Sequence, residues 1–279
     1  MCDGVSLSEF SLLQRAVGEL RVAVKRFGTE TVLDELRQAG CLKARFPRRI
    51  VSGWIDVVML NTGGGVAGGD RLDVSLAVGV GCRATVAAQA AERFYRALAG
   101  DLPSRVRTRL RVEEGAALEW LPQETILFDR FALDRRVEVD LAAGGRFLGV
   151  ETLVFGRTAM GEQVREGWLR DLIRVRRGGE LLLHDAIRLD GEIDAVMQRQ
   201  AVAGGASVVA TLVYVAPDAV EKLESVRVAL GGAEAGASAW NGMLIARILG
   251  IDSASVRGTV IAALEVLRES RPLPRVWLC

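Results

Sequence analysis

One histidine, His184, stands in 279 residues, and the four cysteines Cys2, Cys41, Cys82 and Cys279 are scattered with no C-x-x-C spacing. That scarcity argues against a disulfide framework or a structural zinc cage, and a reducing compartment is the simpler reading. Aromatic residues make up only 5%, too few for an obvious row of sugar or base platforms. Charge of one sign is lacking as well: lysine plus arginine total 36 against 35 acids, so bulk charge points to neither nucleic acid nor an anionic membrane. The longest uncharged run, Ala201 to Ala216, falls short of the ~18–20 residues a spanning helix needs and is interrupted by Gly204 and Gly205. The opening "MCDGVSLSEF" carries two acids and no basic region before an apolar core, so no signal peptide is expected. These features predict a soluble, cytoplasmic protein. Half of the residues are apolar, enough for a substantial core, and without a Pro/Gly/Ser-rich linker one domain over 1–279 is expected.

Glycine is plentiful, and "MLNTGGGVAGGDRL" (59–72) contains G-x-G-x-x-G directly after the apolar run "WIDVVML". A dinucleotide-binding turn must lead into a helix, because the pyrophosphate rests on the helix N-terminus. Here Leu72, Val74, Leu76 and Val78 alternate with Arg71, Asp73, Ser75 and Ala77, which is the period of a half-buried strand. No Lys-Ser/Thr follows the glycines either, so the P-loop pattern fails. The glycines therefore make a tight turn between strands, and Asp70 at its end is either a turn residue bonding nearby amides or a presented ligand.

The following residues repeat a unit of strand, glycine turn and strand, with Gly81, Gly115, Gly144 and Gly178 recurring at intervals of about thirty residues. A second echo runs through "ERFYR" (92–96), "ILFDR" (126–130) and "LVFGR" (153–157), each with phenylalanine before a final arginine. This self-similarity predicts a mainly β fold: a β-helix-like stack of strands, which a β-sandwich with regular hairpins could imitate. After residue 207 the pattern changes. "SVVATLVYV" and "MLIARILG" read as buried strands. "DAVEKLESVRVAL" reads as a helix with Asp218 as N-cap and Val220, Leu223, Val226 and Leu230 on one face. "DSASVRGTVIAALEVLRES" reads as a second helix burying Val256, Val260, Ala263, Leu264 and Leu267. Two α-helices in the C-terminal third are thus expected.

No G-x-S-x-G elbow, H-E-x-x-H or Cys–His motif is present. The lone His184 in "ELLLHD" is expected as a packed strand residue. Carboxylates are the remaining candidates: Asp70, Glu119 and Glu124 in "LEWLPQETILFD", and Glu162 in "GRTAMGEQ". Glu119, beside Trp120 on a strand, reads more readily as solvent-facing. Arg105, Arg107, Arg109 and Arg111 share one strand face, where they meet phosphates, pair with acids on neighbouring strands such as Glu138 and Asp140, or guard an exposed surface.

Taken in order, "LNTGGGVAGGDRL", "QAAERFYRA", "LEWLPQETILFD", "GRTAMGE", "GASAWNGMLIARIL" and "LPRVWL" resemble the urease accessory protein UreD (UreH) family from about residue 29 to the C-terminus. Cys41 stands where that family commonly has proline, and residues 1–28 match little. The resemblance implies a non-enzymatic scaffold working with UreF, the GTPase UreG and apo-urease, allows a dimer within the complex, and implies passage of nickel to the urease active site. It implies no permanently bound cofactor, only transient Ni²⁺, with Asp70 and Glu162 as candidate path residues. Tyr95, Arg96, Glu119 and Glu124 carry motif membership alone. Sparse carboxylates suit a conduit, since imidazole or thiolate cages would hold Ni²⁺ too tightly to release it. The competing reading is a β-helix carbohydrate-active enzyme with paired carboxylates as acid and base.

Overall fold

The computed structural model describes residues 14–48, 50–156, 161–269 and 271–278. The chain opens on a hairpin of β1 (Val17–Phe27) and β2 (Glu30–Gly40), then passes through β3 (Leu42–Arg45) to β4 (Trp54–Asn61). A winding stretch follows: β5 (Arg71–Val78), β6 (Arg83–Ala88), β7 (Glu92–Phe94), β8 (Ser104–Val112), β9 (Ala117–Leu121) and β10 (Thr125–Leu127). It continues through β11 (Phe131–Leu141) and β12 (Arg146–Phe155). The last part holds β13 (Glu166–Arg177), β14 (Glu180–Glu192), α1 (Ile193–Met197), β15 (Val208–Val215) and α2 (Leu223–Leu230). It ends with β16 (Glu234–Trp240), β17 (Met243–Gly250) and α3 (Ser253–Leu267).

Two sheets result. The seven-stranded sheet has the order β14-β13-β11-β8-β5-β1-β2, and the ten-stranded sheet runs β16-β17-β15-β12-β9-β6-β4-β3 with β7 and β10 attached. Along the winding stretch the chain alternates between them: β5 and β6, β8 and β9, β11 and β12 each contribute one strand per sheet. Successive circuits pair in parallel, β5 with β8 and β8 with β11, β6 with β9 and β9 with β12. This is the β-helix-like stacking that the repeats predicted. The repeat glycines Gly81, Gly115 and Gly144 sit at the corners between sheets, Gly81 and Gly115 with φ of 65° and 63°. Gly178 differs, closing the antiparallel hairpin β13–β14. The phenylalanine echo is one residue off in the middle: the register aligns Phe94, Leu127 and Phe155, so Leu127 takes the buried place and Phe128 lies beside it.

Two apolar layers hold the fold. One lies between the sheets, where the period-two positions Leu72, Val74, Leu76 and Val78 all point inward as expected. The other lies between the ten-stranded sheet and the helices. Every residue of β15 is buried because both its faces are covered, which is why it reads as an unbroken apolar run. α3 supplies Val256, Val260, Ala263, Leu264 and Leu267 to that layer. Its N-cap is Asp252, which accepts a hydrogen bond from the Ser255 amide at 2.7 Å.

Several expectations are corrected. α2 begins at Leu223, not Asp218, and Val220 is exposed; the Asp218 carboxylate accepts a hydrogen bond from the Tyr214 hydroxyl instead of capping. α1 is an additional five-residue helix too short to carry a period. His184 is exposed, because its strand β14 lies at a sheet edge and places it on the outer face. Glu119 is buried: the outer side of β9 is covered by the segment after α3.

Candidate functional site

Strands β11, β13 and β12 bring charged residues into the layer between the sheets. Alternation along β11 directs Leu133, Arg135, Val137 and Val139 inward, and along β13 Leu169, Asp171, Ile173 and Val175. The parallel register sets Arg135 directly opposite Asp171. The Arg135 guanidinium donates from Nε and Nη2 to the two Asp171 carboxylate oxygens, at 2.8 and 2.7 Å. From Nη1 it donates to Glu151 Oε2 at 2.7 Å and to the Thr125 hydroxyl at 2.9 Å, both from the facing sheet. The other Glu151 oxygen accepts from the Trp120 indole at 2.7 Å.

Each group needs the others. Burial, the largest influence on Arg135, opposes its charge; the Asp171 and Glu151 carboxylates outweigh it and hold the guanidinium more firmly protonated than usual. Burial pushes the Glu151 carboxyl up, with Arg135 and Trp120 pulling the other way.

A cavity of about 220 Å³ lies on one side of this cluster. Val74, Val106 and Thr108 line it from one sheet, Met59, Ala88 and Trp120 from the other. Glu92 and Asn61 also line it, beside Gly64 and Gly65. The Asn61 amide donates to both Glu92 oxygens at 3.1 Å, and burial raises the Glu92 carboxyl above the ordinary glutamate value of 4.5. A second void of about 10 Å³, room for about one water, lies on the other side. Asp171, Asp185 and Thr211 line it, and Arg135 and Glu151 line both spaces. Asp185 in turn pairs with Arg247 at 2.7 Å. The result is a charged seam between two apolar sheet faces: Glu92, then Glu151 and Arg135, then Asp171, then Asp185 and Arg247.

Asp70 is buried and engaged as a turn residue. Its two oxygens accept the Ala16 and Ala67 amides at 2.7 and 2.8 Å, pinning the glycine turn to the start of β1. Gly69 and Gly64 in that turn have φ of 83° and 75°, conformations that side-chain-bearing residues rarely take. Asp70 lines neither cavity; Leu72, two residues on, lines the wider one. Glu162 is half-buried beside the turn after β12 and lines neither cavity; its motif neighbours Arg157 to Met160 lie outside the described residues. Tyr95 donates its hydroxyl to the Gly64 carbonyl at 3.0 Å. Arg96 forms a bridge with Phe131 at the start of β11.

Glu119 and Glu124 anchor the C-terminal segment. Glu119 pairs with Arg268 at 3.0 Å and with Arg271, and Glu124 pairs with Arg257 at 2.7 Å. The Trp277 indole donates to the Leu121 carbonyl at 3.0 Å. Thus "LEWLPQETILFD" and "LPRVWL", far apart in sequence, are one tied surface.

Sequence reasoning missed Glu92, Arg135, Glu151 and Asp171. The signal was available: Arg135 and Asp171 fall on core-facing positions of otherwise alternating strands, and Glu151 interrupts an apolar run. Among the described residues no group of three His, Cys, Asp or Glu side chains is placed to hold a metal, and no helix is long and apolar enough to cross a membrane.

The architecture defines a mainly β coil of two sheets that carries carboxylates and guanidiniums in its interior. The model of the UreD urease accessory protein family matches residues 16–278. A urease accessory protein UreD of Xanthobacter autotrophicus is 46% identical over 274 residues, spanning 98% of this chain and 93% of that protein. One from Rhizobium leguminosarum bv. trifolii is 44% identical over 264 residues, 95% and 96%. One from Azorhizobium caulinodans is 42% identical over 266 residues, 95% and 97%. The chain belongs to the UreD urease accessory protein family.

Proposed function

We propose that this chain is a cytoplasmic, non-enzymatic scaffold that works with UreF, UreG and apo-urease, and that nickel bound for the urease active site moves between its two sheets. The observation that carries this reading is the acid-rich seam: Glu92, Glu151, Asp171 and Asp185 outnumber Arg135 and Arg247 between otherwise apolar faces. Carboxylates spaced along a line, each already hydrogen-bonded, offer a hydrated divalent ion oxygen contacts without the closed cage that would retain it. Asp70 and Glu162 stay candidates for such contacts. Each Asp70 oxygen has spent one acceptor position on a backbone amide and keeps another. The accessory-protein names of the relatives speak against the carbohydrate-enzyme alternative.

The test is reconstitution of urease from its apoprotein with the accessory proteins, reading nickel content and urea hydrolysis. Glu92→Gln, Glu162→Gln and Asp70→Asn, which keep side-chain shape, are expected to lower loading while the complex still forms. Asp70→Ala is a poorer probe, since it orphans two amides and loosens the turn. Normal loading by all three variants would end the conduit reading and leave the scaffold role standing.

A further inference from the structure

The outer face of the seven-stranded sheet is an ordered arginine lattice. Reading across β5, β8, β11, β13 and β14, one row is Arg71, Arg105, Asp134, Arg170 and Arg188. The next, begun by β1, is Glu19, Asp73, Arg107 and Arg136, followed by Leu172. The third holds Arg21, Arg109, Glu138 and Arg174, and the fourth Arg111, Asp140 and Arg176. Arginines outnumber carboxylates in every row but the second, where they are equal. The whole chain carries a net charge of only +1, so this face holds an excess that the rest of the molecule balances. Beyond Arg188 the face turns acidic at Asp190 and Glu192, which bounds the patch.

The lattice is not internally satisfied. Arg71 faces Arg105, Arg107 faces Arg136 and Arg170 faces Arg188 directly across strand pairs, an arrangement that destabilises a sheet. The carboxylates are shared: Asp73 lies 3.6 Å from both Arg105 and Arg109, and Asp134 serves Arg107 and Arg136. The β8 arginines do pair with acids on neighbouring strands, but these are Asp73 and Asp134, not Glu138 and Asp140: Glu138 pairs with Arg174, and Arg111 turns to Glu113. Arg136 Nε stands 3.6 Å from Asp134 Oδ1, too far for a hydrogen bond, so these two atoms and Arg174 Nε are buried without hydrogen-bond partners among the described residues. Burial depresses Arg107 below the usual guanidinium range, with Arg136 and Arg105 pushing the same way against Asp134. At ~4.8 Å between strands and ~6.7 Å between rows, the lattice covers on the order of 500 Å², a large part of the ~800 Å² one partner gives to a standard interface.

We propose that this face is the docking surface for an acidic protein partner, whose carboxylates take the unshared arginine donors. A protein fits better than a polyphosphate, because Asp134, Asp73, Glu138 and Asp140 recur in every row and would repel a continuous phosphate chain, while a mosaic protein surface can answer them. Guanidiniums grip the carboxylates of such a surface with two parallel bonds. The proposal rests on the scaffold reading above for the source of its partner.

The experiment titrates the purified full chain with purified apo-urease, UreF and UreG, singly and combined, at 50 and 300 mM NaCl. Arg109→Glu with Arg111→Glu alters side chains that are 57% and 73% exposed, so the fold tolerates the change, and a melting curve verifies it. The unaltered chain is expected to lose about tenfold in affinity at the higher salt, and the double variant a further tenfold or more at the lower. Arg109→Lys with Arg111→Lys, which keeps the charge but loses the fork, is expected to lose less than the charge reversal. Complex formation unaffected by the charge reversal overturns the docking surface alone. Failure of the unaltered chain to bind any of the three proteins overturns the scaffold reading and this assignment with it. Equal or tighter binding of a 20-base-pair DNA duplex or of phosphatidylserine vesicles, lost in the same variant, overturns the choice of a protein as occupant.

Discussion

Arg135 and Asp171 face each other across a parallel strand pair on the inward side of the sheet, joined by two hydrogen bonds of 2.8 and 2.7 Å. A parallel register makes such a pairing rigid, because neither strand can slip by one residue without turning its apolar set outward. Glu151 closes the arrangement from the opposite sheet.

Removing Arg135 leaves two buried carboxylates without their counter-charge. Arg135→Met is expected to lower the unfolding free energy by about 3–5 kcal/mol, measured by urea denaturation of the purified chain. Combining it with Glu151→Gln and Asp171→Asn is expected to recover most of that loss, since the remaining groups are neutral. A single-variant loss below about 1 kcal/mol would mean that water reaches the cluster.

Glu119 ties β9 to the end of α3 and the segment beyond it through Arg268 and Arg271, and also accepts a hydrogen bond from the Thr85 hydroxyl of β6 at 2.8 Å. Arg271 also lies 3.9 Å over the Trp54 ring. Glu119→Ala is expected to cost about 3 kcal/mol or more and to make the C-terminal segment sensitive to limited proteolysis before the rest of the chain. Cleavage patterns identical to those of the unaltered protein would refute the tie.

Glu92 makes a pH-dependent contribution with a definite sign. Its carboxyl titrates above 4.5 when folded because burial disfavours the charge. The folded state therefore binds the proton more tightly, and the stability from this group is complete below about pH 4.5 and falls as pH rises through the folded value. Glu92→Gln is expected to gain stability relative to the unaltered chain as pH rises from 4 to 8, with the difference then levelling. Parallel pH curves for the two proteins would exclude it.

The Asp252 cap gives a smaller, local effect. Asp252→Ala removes the acceptor for the Ser255 amide and hydroxyl, both at 2.7 Å, and is expected to cost about 1 kcal/mol in urea unfolding. Asp252→Asn, which keeps an acceptor, is expected to lose less.

Much of the architecture was legible because it follows local rules. The alternation in "RLDVSLAV" set the inward face of β5, and the capped apolar stripe of α3 set five buried residues that all lie where the spacing placed them. The recurring corner glycines announced the circuits. The errors share one origin. Whether Glu119 meets water or Arg268 depends on a segment nearly 150 residues away, and whether His184 is packed depends on β14 lying at an edge. Phe128 and Leu127 exchange expected places because register, not resemblance of letters, decides which side chain points inward.

Composition and period alone determined a mainly β chain with an amphipathic C-terminal helix, and the ordered motifs pointed to the family. Those are properties of neighbours along the chain, where side-chain direction alternates by geometry. The seam of Glu92, Glu151, Arg135 and Asp171 between the sheets, and the arginine lattice on the outer face of the seven-stranded sheet, were decided only when the coil stacked its circuits. Stacking gives each charge its counterpart or leaves it without one, and a buried charge is tolerable only where the three-dimensional register supplies that partner.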